Sequence, residues 1–395
     1  FLADSDSSGA GSFVVGSAQT LTVSSPGAAV SITAADISIA SDSVLTLTSS
    51  PLSLISTGSR GFHLGGSATG GGAFVELDAT EAGRISTTAT WTVRSPAITV
   101  LAIVAADTHS SPVELNARAS GGHIDFSAAS TFASLNATAA AGISVAASIT
   151  TTTGQLSLDG NYDMVGQDTT SLYPGVSLTA GSDLLLHTRA SGYVAVSGSA
   201  TWSAAGSVEL GSGVRATGSG STLAVTADSD GSGSGSLTFA STANITIDSS
   251  TYSTVRLKYS DVAWASGFAL SGYNADIVFD KSWASTASFG GSGQVSSAEL
   301  GMVTTTGVLQ LGDSFATDIS IHGVDRTSHS ESLVLVKAAG AVTFDTGSTT
   351  IAQALDVRAQ SDITLSAGVT VASGYAYFLA DSDSSGAGSF VVGSA

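Results

Sequence analysis

Three short loops carry the residues with the plainest chemical potential. Asp4-x-Asp6-x-Ser8-Gly9, its copy Asp381-x-Asp383-x-Ser385-Gly386, and Asp228-x-Asp230-x-Ser232-Gly233 put oxygen donors on alternate residues ahead of a glycine. That spacing opens a calcium loop, in which alternate carboxylates wrap a hard cation. The twelfth position is Val15, Val392 or Phe239 rather than Glu, so none is an EF-hand. Asp and Ser before Gly are also ordinary turn formers, and turn formation is the preferred reading. Structural Ca2+ is the one cofactor these residues suggest.

Other candidates are thinner. Asn136-Ala137-Thr138 and Asn244-Ile245-Thr246 have the N-glycosylation pattern. Between residues 252 and 283 the aromatic residues Tyr252, Tyr259, Trp264, Phe268, Tyr273, Phe279 and Trp283 gather with Lys258 and Lys281, two of the chain's three lysines. Tyr252, Lys258, Tyr259, Trp264, Tyr273 and Trp283 are candidates for a sugar-binding platform or a lateral contact between fibres. The alternative is a stretch of thicker core, which is the commoner use of aromatic side chains. For catalysis, paired carboxylates beside a cation are what a polysaccharide-cleaving site needs. The nearest sets are His123 with Asp125, and His322 with Asp318 and Asp325, and these are scattered. The sequence reads as a non-enzyme, with a polysaccharide-active enzyme as the weaker alternative.

Composition narrows the partners. Only 12 Lys plus Arg stand against 31 Asp plus Glu, a net charge of -19, so nucleic acid is not an expected partner. No cysteine occurs, which excludes disulfides and thiolate chemistry. The longest apolar run, Ala97 to Ala106, is too short to span a bilayer as a helix. Gly, Ser, Thr and Ala dominate, so long amphipathic helices are excluded, yet 43% hydrophobic residues are too many for a disordered tail.

The elements that must position these residues show in two periodicities. The longer is a perfect repeat. Phe1 to Ala18 reads FLADSDSSGAGSFVVGSA, and Phe378 to Ala395 repeats it without a difference, an offset of 377 residues. Residues 1–377 therefore read as one tandem unit and 378–395 as the start of the next, with the array and any export signal expected to lie beyond both ends. The loop at Ala227 to Ser236, ADSDGSGSGS, echoes ADSDSSGAGS inside the unit.

The shorter periodicity is a set of three-residue strand cores. Ile37-Ser38-Ile39, Leu45-Thr46-Leu47, Ile143-Ser144-Val145, Leu156-Ser157-Leu158, Leu355-Asp356-Val357, Ile363-Thr364-Leu365 and Val369-Thr370-Val371 each alternate apolar and polar. Spacings from Leu333 to Leu355 and from Val342 to Ile363 are 22 and 21 residues, and the Arg60–Arg84 and Arg94–Arg118 spacings are 24. Coils of that length, stacked triad on triad, predict an all-β fold: a β-solenoid, a right-handed β-helix of about 16 to 18 coils. Only five prolines occur, as expected where each coil must donate its N–H groups to a neighbour.

SDITLSAGVTVASG (Ser361 to Gly374) and AGISVAASITTTTGQLSLDG (Ala141 to Gly160) resemble the long β-solenoid shafts of secreted surface proteins. These include the filamentous-haemagglutinin and autotransporter-like adhesins and similar extracellular fibres and flagellar hairs of microbes. The resemblance runs along the whole chain and carries no catalytic motif. It implies an extracellular or cell-surface structural protein whose partners are neighbouring copies of the same repeat, end to end. An adhesin shaft that binds glycans through the aromatic segment is the alternative.

Overall fold

The structure, a computed structural model, describes residues 1–395 except 7–9, 26, 67–72, 104–110, 166, 190–191, 219, 241–242, 249–252, 292, 314 and 394–395. The chain is all-β with long parallel sheets, an arrangement consistent with a β-solenoid. It forms two compact units, Phe1–Ala195 and Val196–Ala395.

In the first unit one sheet runs through Val30–Ala34, Leu52–Ser56, Trp91–Arg94, Pro112–Ala117, Ser134–Ala139, Leu156–Asp159 and Leu184–His187, every strand parallel to the next. The alternation in each strand decides which side chains enter the core. Ile32, Leu54, Val93, Leu115, Ala137, Leu158 and Leu186 fall on one another in register, and all are buried. The residues between them point outward, because successive side chains on a strand face opposite ways.

The second unit repeats the device. Ala200–Ala204, Thr222–Thr226, Ser253–Tyr259, Ala275–Lys281, Val308–Leu311, Leu333–Ala338, Ala354–Ala359 and Ala376–Leu379 form one parallel sheet. Trp202, Val225, Leu257, Phe279, Leu311, Val336, Val357 and Phe378 stack along it in register. A second sheet joins Ser285–Phe289, Ala316–Ile321, Val342–Phe344, Ile363–Leu365 and Phe390–Val392.

All seven apolar triads noted in the sequence lie inside strands. Their spacing needs correction. Val342 pairs with Ile363, as the 21-residue spacing predicts, but Leu355 pairs with Val334 rather than Leu333. Arg94 pairs with Asn116, so the 24-residue arginine spacing is not the coil step. Steps also lengthen where the chain inserts extra material. Leu52 pairs with Trp91, a step of 39 residues that includes the short helix Ala79–Ala82. Leu270 pairs with Val303 across the other short helix, Ser297–Gly301.

Both helices are closed by capping boxes, Asp78 with Glu81 and Ser296 with Glu299, which supply the N–H partners a single turn cannot provide itself. Glu81 does more than cap. Its carboxylate also accepts from Ile39 N–H at 3.1 Å, so the inserted turn satisfies a strand donor.

Candidate functional site

The first copy of the 18-residue repeat ends a strand pairing in the first unit, and the second copy ends one in the second unit. In the first copy, strand Ser12–Val15 pairs with Asp36–Ile39: Phe13 with Ile37, Val14 with Ser38, Val15 with Ile39. Leu2 bridges Thr33, and Thr33 N–H donates to the Phe1 carbonyl at 2.9 Å. In the second copy, Phe390, Val391 and Val392 pair with Ile363, Thr364 and Leu365. Phe378 and Leu379 pair with Val357 and Arg358.

The same residues therefore use one edge in one copy and the other edge in the other. Among the described residues, the first copy pairs with the coil that follows it in sequence, and the second with the coil that precedes it. Exposure records the difference. Val15 is 6% exposed, whereas its image Val392 is 68% exposed. The internal geometry is preserved: the rings of Phe1 and Phe13, and of their images Phe378 and Phe390, lie 5.3 Å apart in both.

The aspartate loops are built alike. Asp381 accepts from Ser385 Oγ at 3.0 Å and Gly386 N–H at 2.9 Å, while Asp383 accepts from Ser385 N–H at 3.1 Å. Asp228 accepts from Ser232 Oγ at 2.8 Å, Gly233 N–H at 3.0 Å and Ser282 Oγ at 3.0 Å, and Asp230 from Ser232 N–H at 3.1 Å. Asp228 and Asp381 both take positive φ, as do Gly233 and Gly386. Gly235 and Gly388 close the two loops where a Cβ would strike backbone of the loop and of the coil before it. The sequence echo is thus a structural echo: a loop locked by its own carboxylate, docked on the corner of the preceding coil. Burial pushes the Asp228 carboxyl up, but its hydroxyl and N–H donors outweigh that and hold it below the usual carboxylate range. Asp4 is buried and Asp6 exposed. Among the described residues, no group of three or more His, Asp or Glu side chains is placed to hold a metal ion.

The aromatic segment divides between core and surface. Tyr252 lies outside the described residues. In Ser253–Tyr259 the residues Val255, Leu257 and Tyr259 point inward, while Arg256 and Lys258 point outward. Burial drives the Tyr259 hydroxyl pKa far up. Trp264 pairs in register with Phe239 and packs edge-on against Phe268, with Phe279 beyond at 5.9 Å. Among the described aromatic residues of the segment, only Tyr273 and Trp283 are exposed, at 64% and 39%. Tyr273 edges a cleft of about 310 Å³ lined also by Thr246, Asp248, Ser271, Thr304 and Thr306.

Lys258 belongs to a charged ladder that composition alone does not reveal. Its Nζ lies 3.8 Å from the buried Asp280 carboxylate, and Arg256 reaches both Asp280 at 4.0 Å and Asp313 at 2.8 Å. Lys337 also reaches Asp313, at 2.8 Å. Burial pushes the Asp280 carboxyl up. At Asp313 burial likewise pushes up, but the hydrogen bonds and charges of Lys337 and Arg256 outweigh it, so the carboxyl stays below its usual range. A carboxyl depressed by folding stabilises the fold above its ordinary pKa, about 4, and loses that contribution as pH falls further. Asp313→Asn is therefore expected to lower the melting temperature at pH 7 and to shrink the drop on acidification from pH 5 to pH 2.5. An undiminished drop would contradict this assignment.

Asn136 is half-buried on strand Ser134–Ala139, in a cleft of about 330 Å³ with Arg118, Asp159, His187 and Arg189. Arg118 and Arg189 both stack on Tyr162, at 4.1 and 4.3 Å. Asn244 is exposed, and its side-chain oxygen accepts from Ala269 N–H at 2.9 Å. Among the described residues, the histidines do not assemble a carboxylate pair. His123 Nε2 lies 3.8 Å from Asp125, and His322 meets Asp345 at 2.6 Å, while Asp318 accepts from Ala341 N–H and Asp325 from Thr327.

One group was invisible to sequence reasoning. Arg326 is fully buried and donates through Nε and Nη2 to the two oxygens of buried Glu331, at 2.9 and 3.1 Å. It also donates to the carbonyls of Leu300 and Val303, tying the end of helix Ser297–Gly301 to the following strand. A five-residue spacing between an arginine on the short strand Asp325–Arg326 and a glutamate beyond it carries no periodic signal. Among the described residues, no helix is long and apolar enough to cross a membrane. No protein-family model, curated protein or solved structure matches the chain.

Proposed function

We propose that the chain is a structural subunit of a long extracellular filament or surface shaft, built from head-to-tail 377-residue β-solenoid repeats. What carries the reading is the pair of identical ends that pair through opposite edges. One 18-residue module meets Ile363-Thr364-Leu365 on one side and Ile37-Ser38-Ile39 on the other, through the same three residues. A tandem array satisfies both edges at each junction with no shift in register.

The mechanism is mechanical. Backbone hydrogen bonds run from coil to coil, stacked apolar triads make a continuous core, and each unit covers the open sheet edge of its neighbour. The coils are right-handed by the crossover rule for parallel strands. Steps of 21 to 24 residues alone give about 16 to 18 coils per unit, and the longer inserted steps reduce that to about 14 to 15. At ~4.8 Å per coil a unit rises roughly 65 to 75 Å. The net charge of -19 spread along such a shaft keeps fibres apart at low salt. The aspartate loops serve as corner locks, and a chelator is expected to leave melting unchanged.

The test is a two-unit chain, residues 1–377 followed by 1–395, imaged by electron microscopy. An unbroken rod twice as long as the single chain supports the reading, and two beads on a linker would overturn it. The exposed Tyr273 beside its threonine-lined cleft favours a second reading, a shaft that also binds glycans. Glycan-array binding lost in Tyr273→Ala would support that reading, and no binding by the native chain would remove it.

A further inference from the structure

In a chain with only 12 Lys plus Arg, two arginines converge on one ring: Arg118 and Arg189 both stack on Tyr162, at 4.1 and 4.3 Å. We propose that the cleft these arginines border, on the outward face of the first unit's sheet, binds an acidic sugar. Arg118 and Arg189 hold its carboxylate, and the polar residues of the strands meet its hydroxyls. The inference concerns the unit Phe1–Ala195 by itself and does not depend on the filament reading.

The strands lay out the cleft. Ser134–Ala139, Leu156–Asp159 and Leu184–His187 are successive partners in the parallel sheet, so Asn136, Ser157 and Leu185 fall in one column and Thr138, Asp159 and His187 in the next. Strand alternation turns both columns away from the core. Arg118 comes just past the end of strand Pro112–Ala117, which precedes these three in the sheet, and Arg189 just past the end of Leu184–His187, the last of them. The cleft of about 330 Å³ is within the size range of small-ligand sites.

The guanidinium groups are positioned without a ligand. Arg189 donates through Nε to Asp159 at 2.9 Å, and its main-chain carbonyl accepts from Nδ2 of the buried Asn161 at 2.8 Å. Its two Nη groups are left for a ligand. Arg118 donates through Nη2 to Thr138 Oγ1 at 3.3 Å, and among the described residues no carboxylate pairs with it. Tyr162 steadies both planes by cation–π contact. Two guanidinium groups against the single carboxylate of Asp159 leave a local positive excess in a chain whose net charge is -19.

That arrangement selects its ligand. A planar carboxylate is what a guanidinium fork binds, through two parallel N–H···O bonds. Asn136, Ser157 and His187 supply donors and acceptors for hydroxyl groups, while Leu185 is the one aliphatic side chain lining the cleft. A fatty or aromatic acid needs more apolar lining than that. A sugar acid matches both the cations and the polar columns. Asn136 then reads as a ligand contact, since a glycan attached to it would fill the cleft.

The experiment uses the full chain, made without glycosylation and titrated calorimetrically with a mannuronate trisaccharide. Salt near 0.15 M, with a Debye length of ~8 Å, screens the repulsion between the acidic chain and the anion. Saturable binding is expected, and the carboxyl-reduced, neutral trisaccharide is expected not to bind. Arg118→Met keeps the aliphatic stem over Tyr162 and is expected to weaken binding by about 10-fold or more, the worth of charge-assisted hydrogen bonds, with an unchanged melting temperature. Arg118→Lys keeps the charge without the fork and is expected to recover only part of the loss.

Absence of saturable binding by the native chain overturns the proposal. So does an unchanged affinity in Arg118→Met, which would place the binding elsewhere on the chain. Equal binding of the neutral trisaccharide, or displacement by an equal concentration of inorganic sulfate, would overturn the assignment to a sugar acid. None of these results touches the filament reading, which stands or falls on the two-unit rod.

Discussion

Arg326→Met is expected to cost about 3 to 5 kcal/mol, because it strands the Glu331 carboxylate in the core without its partner. Glu331 is 1% exposed, and its two oxygens take their charge-assisted hydrogen bonds from the one guanidinium. The substitution also frees the carbonyls of Leu300 and Val303, adding unsatisfied buried acceptors. The double variant Arg326→Met with Glu331→Leu removes both charges and should recover most of the loss, since a buried pair is often replaceable by apolar groups of similar volume. Urea denaturation of both variants checks the pairing. A single variant within about 0.5 kcal/mol of the native chain would show that the Arg326–Glu331 pair is not what closes this part of the fold.

Phe279→Ala is the second large effect, expected at about 3 to 5 kcal/mol. Phe279 is fully buried between Leu257 and Leu311 in the register stack of the second unit, and its ring also meets Trp264. Its neighbours are held in place by ladders on both sides, so the cavity has little room to collapse. Tyr273→Ala and Trp283→Ala, exposed members of the same aromatic segment, are expected to change stability by no more than about 0.5 kcal/mol. The contrast separates rings that build the core from rings that face outward. Equal losses at all three positions would contradict the burial assigned here.

These side chains also show what could be read in advance. The strand triads were legible because alternation in Ile363-Thr364-Leu365 or Leu156-Ser157-Leu158 reports the pleat directly, and burial follows it. Alternation also sorts Ser253–Tyr259, where Val255, Leu257 and Tyr259 go in and Arg256 and Lys258 go out. Taking the aromatic residues as one cluster obscured that order. The coil step was only partly legible, since capped turns such as Ala79–Ala82 are inserted at corners, where they cost nothing in register and leave no periodic trace. The aspartate loops were recognisable as a repeated motif. Their chemistry was not, because Ser232, Ser282 and Gly233 meet Asp228 only once the chain is folded. The buried Arg326–Glu331 pair and the Arg256–Asp313–Lys337 ladder depend on contacts between coils in the same way.

Because the chain contains no cysteine, one label per repeat can be placed without background. A two-unit chain carrying Tyr273→Cys in each unit, spin-labelled and measured by electron–electron double resonance, reads the axial repeat directly. In-register stacking predicts a single narrow distance of roughly 65 to 75 Å, one unit's rise at ~4.8 Å per coil. A broad distribution, or a peak well below that range, would mean that the units do not join into one continuous stack.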